Sequence, residues 1–320
     1  MATTILGTGS YLPENIVSND DLAKYMDTSD EWISSRTGIR FRHISNKETA
    51  AEIAYYAAAS ALKHSGILAE NIDLIIAATI TPDCLTPSMS CILQEKLGAV
   101  NAVCFDINAA CSGFIFAMNT AHMYLQAGMA RYALVLGVEV LSSILDWTDR
   151  STCVLFGDGA GAAVLGPGEY GIQDFIMGSD GSHGKALLCS GRPLRNLYSN
   201  EEAANPYVHM DGQAVFRFAV RQVPECIEQL LKRSSISIHE IKYFVLHQAN
   251  IRIIQSVAKR LQVNIEKFPM NISECANTSS ASIPILLAEL DKEGKLQRGD
   301  KIILSGFGGG LTWGAVLIEW

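Results

Sequence analysis

Cys111 stands in the stretch Ala109-Ala110-Cys111-Ser112-Gly113-Phe114, after a short strand pattern near Val103–Ile107 and at the start of a helical one over Cys111–Ala127. A thiol in the first turn of a helix lies beside unpaired backbone N–H groups and the positive end of the helix dipole, and both favour thiolate. Thiolate attacks acyl carbonyls readily and also leaves readily, so the placement suits passage of an acyl group through a thioester. Small neighbours leave room for a substrate, and Gly113 lets a backbone approach closely. The same six residues also suit an inert, buried thiol. A partner is needed to decide between them.

Two further segments offer partners. His247-Gln248-Ala249-Asn250 follows the apolar strand Tyr243–Leu246, at the end where α/β sheets place functional groups. Asn277-Thr278-Ser279-Ser280 precedes a helix pattern over Ile283–Glu293. Taken singly, His247 reads as a core histidine and Asn277 as a helix cap or turn residue. The other histidines, His183 and His209 among them, have no comparable strand-end setting. Gly306-Phe307-Gly308-Gly309-Gly310 closes the set after the strand Lys301–Leu304. Glycines there either turn N–H groups toward a developing oxyanion or simply allow a tight turn.

An internal repeat relates these segments. Leu62, Lys63, Ser65, Ile67 and Ile72 recur as Leu231, Lys232, Ser234, Ile236 and Ile241, an offset of 169 residues without a gap. The same offset takes Asn108 to Asn277, Gly137 to Gly306 and Gly9-Ser10 to Gly178-Ser179. It places Ser280 against Cys111 and Ala78 against His247, so each half keeps a reactive side chain that the other lacks. In one duplicated fold, equivalent strand ends meet at the junction, which brings Cys111, His247 and Asn277 together there.

The elements that must position them alternate strand and helix. Thr49–Gly66 is alanine-rich and helical, and Leu74–Thr79, Tyr132–Val138 and Tyr243–Leu246 are continuous apolar strands suited to sheets covered on both faces. Val220–Lys232, Ile251–Leu261 and Ile283–Glu293 read as helices. Pro167-Gly168 through Gly171 is the best boundary, giving halves 1–168 and 169–320 with helices layered around mixed sheets. Lys185–Val208, with Gly191, Pro193, Asn205 and Pro206, has no counterpart in the first half and predicts a loop over the site.

Bulk properties fit an enzyme with large cores. A chain of 320 residues is long enough for two domains, and 48% hydrophobic against 18% charged residues argues against disorder. The net charge of -8 argues against a general nucleic-acid binder. Apolar runs such as Ile72–Ile80 fall well short of the roughly 20 residues that cross a bilayer. Met1-Ala2-Thr3-Thr4-Ile5 has neither a basic region nor a long apolar stretch, so no signal peptide and no membrane association are expected, and a cytoplasmic location follows. The eight cysteines form no CxxC pair and no zinc spacing, so free thiols and no metal are expected.

The motifs then combine. Asp30-Glu31-Trp32-Ile33 and Arg36-Thr37-Gly38-Ile39-Arg40 are followed by Ala110-Cys111-Ser112-Gly113-Phe114 and Phe156-Gly157-Asp158-Gly159-Ala160-Gly161-Ala162. His247-Gln248-Ala249-Asn250, Asn277-Thr278-Ser279-Ser280-Ala281-Ser282, Phe307-Gly308-Gly309-Gly310 and Thr312-Trp313-Gly314 complete the series. In this order, over essentially the full length, they resemble the β-ketoacyl-acyl-carrier-protein synthase III family of the thiolase superfamily. The resemblance implies a duplicated thiolase-like α/β fold in five αβαβα layers, and a homodimer.

It also implies a decarboxylative Claisen condensation that starts fatty-acid synthesis. Cys111 takes an acyl group from acyl-CoA, and malonyl on acyl-carrier protein then loses carbon dioxide and attacks the thioester. His247 and Asn277 supply donors to the enolate oxygen, and the N–H groups of Cys111 and Gly309 hold the tetrahedral oxyanion. No metal or redox cofactor is implied, with acyl-CoA a substrate. By the same resemblance, Trp32 and Arg150 sandwich the CoA adenine, Thr28 and Arg36 help hold the nucleotide, and Asn250 contacts the pantetheine arm. Gln248, Arg217, Arg252, Lys259 and Arg260, with Arg221, are expected as a basic carrier-protein face on an acidic chain; the same charges also suit a plain solvated surface.

Three positions depart from the family pattern. Ala276 stands where many relatives have glycine, Ser112 replaces a common alanine, and Thr86 occupies the place of a bulky phenylalanine that several acetyl-selective relatives contribute across the dimer. The smaller threonine is expected to deepen the acyl pocket. Other readings are a condensing relative in polyketide or secondary metabolism, and a non-catalytic acyl-CoA or carrier-protein binding module. A decarboxylation-independent thiolase fits less well, because Gly306–Gly310 holds no second cysteine.

Overall fold

The structure, a computed structural model, describes residues 1–202 and 204–320. The first sheet contains β1 (Ala2–Tyr11), β2 (Leu74–Ala78), β3 (Val103–Ile107), β4 (Ala133–Glu139) and β5 (Gly159–Gly168), in the order β1-β5-β4-β2-β3. The second contains β6 (Ile172–Ser179), β7 (Ile241–Leu246), β8 (Lys301–Gly308) and β9 (Thr312–Glu319), in the order β6-β9-β8-β7. Both sheets run antiparallel, antiparallel, then parallel along that order, so the second repeats the first without its edge strand β3.

Seven helices matter to the argument: α1 (Asp30–Thr37), α2 (Ala50–Ser65), α3 (Met89–Leu97), α4 (Gly113–Gln126), α5 (Gly212–Ser234), α6 (Ile251–Leu261) and α7 (Ser282–Lys292). Local chemistry sets their ends. Thr49 and Glu52 form a capping box at the start of α2, and Gly66 ends it in the left-handed region.

The layers follow from alternation along the strands. Leu74, Ile76 and Ala78 of β2 face a core shared with Phe114 and Met118 of α4, Leu286 and Leu287 of α7, and Val245 and Leu304 of the second sheet. Ile75 and Ala77 face the other way, onto Ile53 and Ala57 of α2 and Leu93 of α3. Phe244 and Ile303 likewise meet Ile227 and Leu230 of α5 and Val257 of α6. The order is therefore α2/α3, sheet, α4/α7, sheet, α5/α6, the five layers implied by the resemblance. Burying an Ile or Leu side chain stabilises by about 1.5–3 kcal/mol, which explains why continuous apolar strands read correctly as doubly covered.

The repeat extends to backbone angles. Short 3-10 turns at Ala110–Ser112 and Ser279–Ala281 precede α4 and α7, and their first residues share a positive φ, 46° at Ala110 and 49° at Ser279. Three boundaries differ from expectation. Cys111 lies in the turn before α4 rather than in the helix. Helix α5 begins at Gly212 instead of Val220, because Asp211 accepts hydrogen bonds from the Gln213 and Ala214 N–H groups. Strand β8 runs on through Gly308. Within Lys185–Val208, Leu187–Cys189 pairs with Val208–Met210 and Arg195–Asn196 with Ser199–Asn200; Ala203 of that segment lies outside the described residues.

Candidate active site

The two turns cross onto each other's half. A Cβ on Gly137 of β4 would sit 2.2 Å from the Ser280 carbonyl oxygen. Its repeat partner Gly306 of β8 lies against Ser112, where a Cβ would come within 3.2 Å of the Ser112 Cα. On Gly308 it would meet the Cys111 nitrogen at 2.6 Å. Gly306 and Gly308 lie inside β8 and admit the Cys111 turn against it, while Gly309 and Gly310 form the tight turn that follows. Cys111 is buried. Its backbone N–H and that of Gly309 donate to no other group among the described residues.

Burial pushes the Cys111 thiol up to about 12, with a Ser279 hydrogen bond pulling down and the Glu139 charge pushing up. A rise from 9.0 to about 12 corresponds to about 4 kcal/mol. A helix terminus supplies about 0.3–1 kcal/mol, or about 2 kcal/mol in favourable cases. The dipole expected from sequence therefore does not maintain a standing thiolate. The resting group is the thiol.

His247 follows β7, with its N–H donating to the Ser305 carbonyl at 2.9 Å. Its Nδ1 lies 2.7 Å from Ser282 Oγ, and the ring meets the edge of Phe307 at 5.2 Å between centroids. Burial pulls its pKa down to about 3, so the imidazole is neutral near pH 7. Ser282 Oγ accepts from the Gln248 N–H at 3.4 Å and can donate to Nδ1, a pairing that leaves the proton on Nε2.

Asn277 is held from both sides by backbone. Its N–H donates to Leu155 and its carbonyl accepts from Gly157, each at 3.0 Å. Its side-chain Oδ1 accepts from the Ser279 N–H at 2.9 Å, which orients the amide and leaves Nδ2 as a donor. Ala276 takes φ 56° and ψ -157°, a region that essentially glycine alone occupies readily, at a cost of about 1–3 kcal/mol. The departure noted at this position thus stores strain while preserving the amide.

The three side chains converge. Cys111, His247 and Asn277 line a channel of about 260 Å³ with Trp32, Arg36, Asn250 and Phe307. Cys111 also lines a cavity of about 1010 Å³ with Ile80, Leu141, Ile144, Leu187 and Val208. The cavity wall includes Leu187–Gly191, Pro206 and Val208, so the expected loop does cover the site. Cys84, Leu85 and Ser88 reach the cavity, whereas Thr86 is exposed and does not line it within one chain.

The nucleotide-end residues cluster at the channel mouth. Arg36 and Arg150 lie 4.7 and 5.1 Å from the Trp32 ring centre, and Arg150 also binds the Asp27 carbonyl and carboxylate. The Thr28 hydroxyl is buried without a partner among the described residues. Asn250 caps α6 through the Arg252 N–H at 2.8 Å and donates to the Arg36 carbonyl at 3.1 Å, so the ordinary capping role is realised at a channel-lining residue.

The basic group divides. Arg217 and Lys259 are exposed and have no side-chain partner among the described residues. Arg252 donates to the Ser35 carbonyl at 2.8 Å, and Arg260 ties α6 to α5 through the Val220 and Arg221 carbonyls and Glu225. Gln248 is corrected outright as a docking residue. It is fully buried, with Nε2 donating to Leu246 and Oε1 accepting from the Asn271 N–H, and presents no surface to a partner.

Residues not singled out from sequence complete the site. Ser279 holds Asn277, Ser282 holds His247, and Glu139 receives Ser279 and Ser280. A charged residue ending the apolar run Ala133–Glu139 was the available signal for Glu139. No group of His, Cys, Asp and Glu suited to a metal occurs among the described residues, and no helix among them is long and apolar enough to cross a membrane.

Residues 105–181 match the family model described as 3-oxoacyl-[acyl-carrier-protein] synthase III, and 231–320 match that of its C-terminal part. The chain is 51% identical to β-ketoacyl-[acyl-carrier-protein] synthase III of Clostridium acetobutylicum, over 99% of this chain and 98% of that one. It superposes on the crystal structure of 3-oxoacyl-[acyl-carrier-protein] synthase III from Aquifex aeolicus with a TM-score of 0.94 at 44% identity, covering 100% of both chains. A priming β-ketosynthase of a polyketide pathway is similar at 36% identity and a TM-score of 0.93, over 99% of this chain and 96% of that one.

Proposed function

The chain belongs to the β-ketoacyl-[acyl-carrier-protein] synthase III family, and from that premise we propose that Cys111 is its acyl acceptor while His247 and Asn277 serve the condensation. The enzyme is an acyltransferase of the initiating condensation in fatty-acid synthesis, joining an acyl-CoA primer to malonyl-acyl-carrier protein. One observation carries the assignment: three side chains from three separate loops line one channel, and Cys111 alone of them also opens onto the large apolar cavity.

The primer enters past Trp32 and Arg36, with its acyl chain directed into the cavity beyond Cys111. Arg150 moves away from Trp32 to admit the adenine, and the unpartnered Thr28 hydroxyl gains a ligand. After acyl transfer, malonyl on the carrier's pantetheine arm uses the same channel. Neutral His247, through Nε2, and Asn277, through Nδ2, place two donors where decarboxylation builds enolate charge; in a water-poor site such donors act without reorganising. The enolate carbon attacks the acyl thioester, and the free N–H groups of Cys111 and Gly309 receive the oxyanion. A homodimer fits the unpaired edge β3, where Val103 is exposed, and the exposed Leu85 beside the cavity.

The test is a panel of acyl-CoAs followed by intact mass and then by malonyl-carrier protein. Acylation at Cys111 and release of 3-oxoacyl-carrier protein are expected; a product formed without acyl-Cys111 rejects the assignment. Carrier docking is tested separately at Arg217 and Lys259, since reversing Arg260 would also untie α6 from α5. Arg217→Glu with Lys259→Glu is expected to raise KM for malonyl-carrier protein roughly tenfold at low salt, with acylation by acyl-CoA little changed. The effect should shrink as the Debye length falls from about 10 Å at 0.1 M to about 3 Å at 1 M salt. An unchanged KM at low salt places the dock elsewhere.

A further inference from the structure

Glu139, the last residue of β4, is a fully buried carboxylate with five donors around it. Its Oε2 accepts from the Ile80 N–H at 3.1 Å and from the Thr81 and Thr79 hydroxyls at 2.8 and 3.4 Å. Its Oε1 accepts from Ser279 at 3.1 Å and Ser280 at 2.8 Å. No lysine, arginine or histidine pairs with it among the described residues. Burial outweighs these hydrogen bonds and pushes its pKa up to about 7. A group in that state accepts and returns protons near neutral pH.

Cys111 needs such an acceptor. Its thiol is protonated at rest, and the neighbouring imidazole is a poor base because burial pulls His247 down to about 3 and its Nδ1 faces the Ser282 hydroxyl. Ser279 bridges the gap. It lines the same cavity as Cys111, close enough to favour the Cys111 thiolate, and its hydroxyl donates to Glu139 Oε1 at 3.1 Å.

We propose that Cys111, Ser279 and Glu139 form a proton relay for acylation, an inference that rests on Cys111 being the acyl acceptor. As sulfur attacks the acyl carbonyl, the Cys111 S–H bond breaks and its proton passes to the Ser279 oxygen. The original Ser279 proton moves to Glu139 Oε1. The new S–C bond forms, and the bond from the acyl carbon to the coenzyme sulfur breaks with its electron pair. The coenzyme thiolate then takes up the proton returned through Ser279, and Glu139 is again a carboxylate. Nothing is oxidised or reduced. The transfer leaves the site's net charge unchanged and removes the Glu139 charge that opposes thiolate while sulfur is being deprotonated. In this relay Ser279 meets the reacting sulfur, and Glu139 acts through it.

The surroundings isolate this titration. Thr79, Ile80 and Thr81 after β2, and Ser279 and Ser280 before α7, contribute only uncharged groups. Of the titratable groups lining the cavity, Asp106 is engaged by the Met89 and Ser90 N–H groups, and Cys84 and Cys189 bond the Pro87 and Pro206 carbonyls. Cys111 is the one whose thiol feels the Glu139 charge.

The test is single-turnover acylation by an acyl-CoA, followed by intact mass from about pH 5 to about pH 9.5. The wild-type rate should rise with pH as Glu139 ionises near about 7 and then level off. In Glu139→Gln the carbonyl can face Ile80 and Thr81 while the amide faces the serine hydroxyls, so the network survives without an ionisable acceptor. That variant should acylate about 100-fold more slowly near pH 7 and keep climbing at high pH, where thiolate forms unaided. Glu139→Asp should regain the levelled profile. Ser279→Ala should slow acylation similarly, yet retain malonyl decarboxylation on enzyme already acylated, because the residue 279 N–H still holds Asn277 Oδ1. Superimposable pH profiles for wild type, Glu139→Gln and Ser279→Ala overturn the relay alone. A wild type that never acylates at Cys111 overturns the nucleophile assignment, and the relay with it.

Discussion

Cys111→Ser is expected to abolish acyl-enzyme formation while the fold survives. Serine is the smaller side chain, so the buried turn against Gly306 and Gly308 accepts it without a clash. The chemistry does not survive. A serine hydroxyl ionises far less readily than a thiol, and no strong base adjoins it, because His247 is held neutral and weakly basic. A loss of at least about 10³-fold in acylation is expected, against roughly 10⁶ in kcat when a hydrolase nucleophile is removed. Intact mass after exposure to acyl-CoA reads the acyl group directly, and a melting curve checks the fold. Stoichiometric acylation of the variant at another residue would disprove the assignment.

The second large effect separates the two half-reactions. Asn277→Asp and His247→Ala should retain acylation of Cys111 but lose about 10²–10³-fold in malonyl decarboxylation, the loss typical of one oxyanion donor. Asn277→Asp keeps the oxygen that accepts from Ser279 but puts a carboxylate where the amide donor stood, so its loss of decarboxylation should fall at the upper end of that range. Carbon dioxide release on pre-acylated enzyme is the measurement. Normal release by either variant would show that its side chain donates nothing to the enolate. Because burial lowers the His247 pKa, the imidazole stays neutral down to about 3, so decarboxylation should show no acid limb at the ordinary histidine pKa. A limb near 6.5 would mean that His247 is hydrated and titrating in the working enzyme.

Much of this site is local in origin and therefore legible along the chain. Thr49 and Gly66 mark the ends of α2 because a capping box and a left-handed glycine act within four residues of a helix terminus. The strand β2 is readable because two opposite faces, Leu74/Ile76 and Ile75/Ala77, both need apolar cover. The offset between the halves survives as paired residues and even as paired turns.

Tertiary structure decided what depends on neighbours distant in sequence. Gly306 and Gly308 looked like loop glycines until the opposite turn was found pressed against their strand. Arg260 carries a docking-type charge, yet its guanidinium is spent holding α5; Gln248 sits in a functional motif, yet its amide is closed into the core. The helix start beside Cys111 favours thiolate, but burial, which sequence does not show, opposes it. Glu139 gave little sequence signal because its significance lies in Ser279 and Ser280, about 140 residues away. Sequence by itself determined the two sheets and the duplication and singled out Cys111, His247 and Asn277 as candidates, since apolar periodicity, caps and motif order act at short range. Protonation, orientation and surface availability were settled only by packing, because burial and hydrogen-bond partners are properties of the assembled core rather than of any segment within it.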